Sequence, residues 1–105
     1  MDYENLTWEG TINRKIYTEE RDSSEGIYSI ISPQGRITAT RLEISLANGG
    51  AYCPEFLEAV PDSAIGKRAI MRESLKTERN IKTHTQELMI EGLEPIVASL
   101  KYEVN

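Results

Sequence analysis

The sequence predicts a mainly β protein: one small barrel, closed or partly open, with a single short helix. Three observations carry this expectation. From Leu6 to Tyr17 the chain alternates with one slip: Leu6, Trp8, Gly10, Ile12 and Ile16 share one face, and Thr7, Glu9, Thr11, Asn13 and Lys15 the other. Near the C-terminus Ile96, Ala98, Leu100, Tyr102 and Val104 alternate just as cleanly with Val97, Ser99, Lys101 and Glu103. Gly10 lies at the centre of the first, unusually long strand, where it permits the sharp bend that small barrels require.

The elements between these two strands are read in chain order. Residues 18–26 have no apolar side chain and four acids (Glu19, Glu20, Asp22, Glu25), the composition of a solvated loop. Ile27 to Ser32 reads as a second strand with apolar residues on both parities. Ser32-Pro33-Gln34-Gly35 is a turn, because Pro33 presets φ and Gly35 can supply a left-handed residue. A third strand runs from about Arg36 to Ala47. Leu42, Ile44 and Leu46 share one parity there and Ile37 and Ala39 the other, a switch that predicts a β-bulge or a bend. Asn48-Gly49-Gly50 is a tight-turn signal, with a short returning strand after it at 51–53.

Pro54 suits the first position of a helix, Glu55 suits its positive end, and Phe56, Leu57 and Val60 form an apolar side that Pro61 terminates. A further short turn is expected from Asp62 or Ser63 to Gly66. Lys67 to Leu75 reads as a fourth strand, with a helix over 63–79 as the competing assignment. Residues 76–86 hold one apolar side chain, Ile81, and read as a long polar loop. Glu87 to Glu91 is a strand, Gly92 to Pro95 a turn, and Ile96 to Val104 the last strand. The order β-β-β-α-β-β resembles an OB-type barrel, with an SH3-like barrel as the competitor.

Length and composition bound the rest. A chain of 105 residues makes one domain, 1–105, large enough for one modest core. Cys53 is the only cysteine, so no internal disulfide is available, and with one histidine the usual four-ligand zinc site is excluded. No apolar run approaches the ~20 residues of a membrane span. The residues from Met1 to Asn5 lack a signal-peptide pattern, so a cytoplasmic, reducing location is expected. The formal net charge of −5 argues against a general nucleic-acid binder. The charge is unevenly spread, however. Residues 67–84 carry Lys67, Arg68, Arg72, Lys76, Arg79 and Lys82 against only Glu73 and Glu78.

No catalytic constellation emerges. His84 and Cys53 are the only candidates for a base and a nucleophile, and a solvated histidine and a small buried cysteine account for them better. The acids at 18–26 lack the spacing of a calcium loop, and no glycine pattern matches a phosphate loop. Arg14 falls on the apolar parity of the first strand: either the strand has left the core there, or Arg14 reaches a buried partner. In an OB-like order the binding face would offer Tyr28, Arg36 and Arg41, with Tyr17 at its margin. The loops 18–26 and 76–86, the latter with Lys76, Arg79 and Lys82, would flank it. The expected function is a non-enzymatic module that docks on a protein partner as an adaptor, regulatory subunit or inhibitor, with self-association included. The alternative is binding of single-stranded nucleic acid or a nucleotide through that face and the basic 67–84 segment. Neither a metal, a cofactor nor a membrane is expected.

Overall fold

The computed structural model describes residues 2–22, 29–32 and 35–103. They form one antiparallel sheet of eight strands: β1 (Asp2–Asp22), β2 (Ser29–Ser32), β3 (Arg36–Leu46), β4 (Ala51–Tyr52), β5 (Glu55–Phe56), β6 (Arg68–Glu78), β7 (Ile81–Ile90) and β8 (Ile96–Glu103). Seven lie on the path β2-β8-β7-β6-β1-β3-β4, and β5 pairs with β3 beside it. The hydrogen-bonded path does not close. The mainly β class therefore holds. The expected loop 18–26 is strand as far as Asp22, paired with β3; its remainder and Pro33-Gln34 of the expected turn lie outside the described residues. Beyond this the element order departs from the OB-like expectation at two places.

The first departure is the helix expected after Pro54. Glu55 and Phe56 instead pair as β5 with Arg41 and Thr40 of β3, and the Leu42 amide donates to the Pro54 carbonyl at 3.0 Å. A two-turn helix is marginal on its own, whereas the open edge of β3 satisfies this backbone and buries Phe56 completely. The only helical turn among the described residues is a 3₁₀ turn at Asp62–Ala64. The second departure is the polar loop 76–86. β6 continues to Glu78 and β7 begins at Ile81, joined by a tight turn in which Arg79 takes a left-handed φ of 58°. The strand assignment for the fourth element thus prevails over the helix at 63–79.

β1 organises the sheet. A straight strand of its 21 residues would span roughly 65 Å at ~3.3 Å per residue, but the longest dimension of the molecule is 39 Å. The strand therefore bends. Its first half pairs with β6 and its second half with β3, and Gly10 belongs to both ladders, opposite Ala69 and Leu46. A Cβ on Gly10 would lie 2.2 Å from the Ser45 carbonyl oxygen, so only glycine fits this crossing.

Two bulges lie beyond the bend, at Asn13 and Ile16, where the register with β3 slips. Each added residue reverses the facing of the residues after it. Ile12 is fully buried, Arg14 turns outward to pair with Glu43 at 3.2 Å, and Lys15 turns inward opposite Leu42. Its ammonium donates to the Val60 carbonyl at 3.0 Å and lies 2.6 Å from the Asp62 carboxylate. Neither expected reading of Arg14 holds: the strand stays over the core, opposite buried Leu42, and the bulge turns Arg14 outward to Glu43. The irregularity expected in the third strand sits on its partner β1: Thr40, Leu42 and Ile44 keep one inward parity, and Ala39 is covered from the other side.

The sheet folds over on itself. From β7 to β5 the path takes four steps, which in a flat sheet would separate them by about 19 Å. Yet the Gln86 side chain on β7 bridges to β5: its Oε1 accepts from the Leu57 amide at 2.8 Å and its Nε2 donates to the Glu55 carbonyl at 2.8 Å. Tyr52 on β4 likewise crosses to β6, donating to Glu73 at 3.3 Å and stacking on Trp8 at 4.0 Å between ring centroids. The core fills the space enclosed, with Ile12, Leu42, Phe56, Met71 and Leu88 fully buried and Trp8 packed against them.

Candidate functional site

Because side chains alternate across a sheet, the register sorts the inner face of β1, β6, β7 and β8 into rows. Trp8, Met71, Leu88 and Ile96 form the first, and Leu6, Glu73, Gln86 and Ala98 the next. Glu4, Leu75, His84 and Leu100 make the third, and Thr77, Lys82 and Tyr102 the outermost. The face thus runs from the apolar core to a polar mouth at the β6–β7 turn. A cleft of about 200 Å³ opens in this mouth, lined by Glu4, Leu6, Glu73, Leu75, His84 and Tyr102.

Glu73 is the floor of the cleft, with its side chain 14% exposed. Gln86 Nε2 donates to Oε1 at 2.8 Å, Tyr52 donates to Oε2, and His84 Nε2 lies 3.7 Å from Oε1. The His84 imidazole, then the Gln86 bond, hold the Glu73 carboxyl below the usual range although burial opposes them. Burial, with the nearby Glu73 charge, pushes the Tyr52 hydroxyl above its ordinary value. Cys53 is exposed, not buried as its neighbours suggest, and shares no hydrogen bond with His84.

A second cluster lies on the outer face of β1, β3 and β5. Arg21 holds Glu55 with two nitrogens, at 2.7 and 2.8 Å, and Tyr17 donates to the same carboxylate. Arg41 donates to the Tyr17 oxygen at 3.2 Å and to the Cys53 carbonyl at 2.8 Å. Both guanidinium groups approach the Tyr17 ring, at 6.0 and 5.6 Å. Arg21 chiefly, then Tyr17, hold the Glu55 carboxyl below its usual range against the opposing effect of burial, and Glu55 and then Glu19 raise the Arg21 guanidinium. This cluster fastens β5 to β1, and it occupies Tyr17 and Arg41.

Glu55 and Glu73 make stability depend on acid. Each is lowered in the folded state from the ordinary 4.5. Each therefore contributes in full above its unfolded value and loses that contribution as pH falls through the folded one. The urea midpoint should drop progressively below about pH 5. A Glu55→Gln, Glu73→Gln double variant should show a shallower drop, and an equal slope in both proteins would refute the assignment.

The basic residues divide by position. Of twelve lysines and arginines, seven pair with acids along the body of the sheet: Arg14, Lys15, Arg21, Arg36, Arg41, Arg68 and Arg72. Lys67, Lys76, Arg79, Lys82 and Lys101 form no ion pair among the described residues. Four of these gather at the β6–β7 turn, where Lys76 and Lys101 flank Thr83 on the outer face and Lys82 faces inward. A shallow cleft of about 330 Å³, lined by Lys76, Arg79, Lys101 and Ile81 among others, lies between them. Glu78 is the acid in that lining.

The structure thus brings together Lys76, Arg79 and Lys82 of the expected binding residues, while Arg36 and Arg41 are engaged by Glu20 and by the Tyr17–Glu55 cluster. Arg36 is opposite Asp22 at one end of β1 and ion-paired with Glu20 at 3.7 Å; Lys76 is opposite Tyr3 at the other end. Tyr28 lies outside the described residues. Sequence reasoning misses Lys101, which reads only as an outward residue of a clean strand, and Glu73, Gln86 and Tyr52. Among the described residues no three His, Cys, Asp or Glu side chains gather to hold a metal, and no helix is long and apolar enough to cross a membrane.

No protein-family model matches the chain, and no curated protein or solved structure matches it.

Proposed function

We propose that this chain is a non-enzymatic binding module, a partly open barrel-like sheet that docks its β6–β7 end on an acidic protein surface. One observation carries the reading. In a protein of net charge −5 seven of the eight lysines and arginines in the body are paired with acids, Lys67 excepted, and Lys76, Arg79, Lys82 and Lys101 lie together at one end, unpaired among the described residues. Such a separation orients the molecule in the field of an acidic partner and raises the association rate. Exposed Ile81 sits among these cations and supplies apolar contact. The exposed thiol of Cys53 fits a reducing, cytoplasm-like location.

The nucleic-acid reading has less support. Arg68 and Arg72 of the basic segment are paired with Glu9 and Glu87, and Tyr17 and Arg41 are held in their own cluster. A titration at low salt with a polyglutamate peptide and with oligo-dT separates the two. Polyglutamate should bind, weaken steeply with salt, and be lost when Lys76, Arg79, Lys82 and Lys101 are all changed to glutamate. The same charge change made at Arg14 and Arg68 should leave binding nearly intact. Preferential binding of oligo-dT, or retention of the peptide by the fourfold variant, would overturn the proposal.

A further inference from the structure

The inner mouth of the sheet points to a second site, independent of the docking surface: we propose that the cleft above Glu73 binds a small organic ammonium ion with a short apolar group. The cleft is about 200 Å³, smaller than the ~300 Å³ at which drug-sized pockets begin, so its occupant has few heavy atoms. Its charged lining consists of the carboxylates of Glu73 and Glu4, with the His84 imidazole as the only basic group in the wall. Lys82 shares the inner face one row further out and does not line the cleft.

Glu73 is built to receive a donor. A carboxylate offers about four acceptor positions; Gln86 and Tyr52 fill two of them, and His84 Nε2 stands beside a third at 3.7 Å from Oε1. These two bonds fix the carboxylate in place, which lowers the ordering cost of binding. Glu73 lines a cleft whose other walls include Leu6 and Leu75, which suit an alkyl group, and Tyr102. An anionic occupant would face two carboxylates, and a neutral apolar one would strip water from Glu73 without replacing its hydrogen bonds. An ammonium with a short branched chain meets both requirements.

Isobutylammonium is the probe, with isobutyrate as its isosteric anion, and the readout is the amide NMR spectrum of the full chain. The amine should shift the Leu75 and His84 amides saturably, with a Kd on the order of 1 mM for so few buried atoms. Isobutyrate should produce no saturable shift. Glu73→Gln should weaken the amine about tenfold or more. Leu6 is half-exposed at the rim, so Leu6→Arg keeps the fold and places a competing cation over the floor, and it should also abolish binding. The proposal fails if the amine gives no saturable shift, if isobutyrate binds as well, or if a folded variant of either kind keeps wild-type affinity. Binding of polyglutamate by the Leu6→Arg protein would be unaffected, so the two sites are tested separately.

Discussion

Replacing Gln86 with leucine is expected to destabilise the protein by about 3 kcal/mol, a large part of the stability of a domain this size. Gln86 is 1% exposed and every bond it makes is to a group on another strand or segment. Leucine has a similar volume, so the packing loss is small and the apolar gain partly offsets the damage. What remains is a Leu57 amide, a Glu55 carbonyl and a Glu73 oxygen, each without its buried partner. A buried group left unsatisfied costs roughly 1–3 kcal/mol, so three of them outweigh the gain. Thermal unfolding should move down by roughly 12 °C or more. A Thr85→Val change one residue away on the outer face should stay within about 0.5 kcal/mol. If the two variants behave alike, Gln86 is not the link between β7 and β5.

The second large effect is expected at Gly10. In an ordinary strand, Gly→Ala stabilises by about 0.4–1 kcal/mol through the unfolded chain. At Gly10 the sign should reverse. The new methyl would sit 2.2 Å from the Ser45 carbonyl oxygen and 2.8 Å from Ile44 Cγ2. The first of these atoms is backbone in the paired β3 strand and cannot step aside. β1 and β3 must separate at the point where β1 passes from one ladder to the other. A cost of about 2–3 kcal/mol is expected for alanine and more for valine, by the usual scale for overpacking. Urea denaturation of both variants checks this, and a neutral or stabilised Gly10→Ala protein would contradict the crossing geometry. Gly35, Gly49, Gly66 and Gly92 take a positive φ with open space around them, so their importance is conformational rather than steric.

These two residues also mark how far the sequence can be read. The bend at Gly10 is legible because a glycine at the centre of a long alternating run weakens the strand at one point and lets it turn there. The turns at Gly49 and Gly92 are legible because their φ requirement is local. The fate of the segment after Pro54 is not, since its capping residues and spacing are local signals and the open edge of β3 that defeats them is not. The stretch 76–86 looks like a loop because this end of the sheet lies beyond the core. Around the turn at 78–81 the residues are exposed, the one buried position, Gln86, is polar, and the apolar–polar alternation that reveals a strand disappears. The parity break in β3 is visible, but which strand carries the extra residues depends on the pairing, and the bulges belong to β1 at Asn13 and Ile16.

The candidate sites divide the same way. An excess of basic residues over 67–84 is legible from composition. Only the register shows that Arg68 and Arg72 are spent on Glu9 and Glu87, that Lys76, Arg79 and Lys82 are not, and that Lys101 joins them. Arg41 looks like a ligand contact because an arginine beside aromatics often is one; its partner Glu55 reads locally as a helix residue, out of its reach. Glu73 and Gln86 carry no signal at all. Their roles arise only when strands three and four steps apart in the sheet, β6 with β4 and β7 with β5, are brought face to face.

That fold-over brings Tyr52 onto Glu73 at the floor of the acidic cleft, whereas the cationic end is built by the neighbouring strands β6, β7 and β8. Proton–proton NOEs in the 105-residue chain probe the fold-over without any substitution. Cross-peaks are expected from the Leu57 amide to the Gln86 side-chain amide protons, and from the Trp8 ring to the Tyr52 ring. Cross-peaks confined to neighbouring strands, with none linking β7 to β5 or Trp8 to Tyr52, would contradict the fold-over.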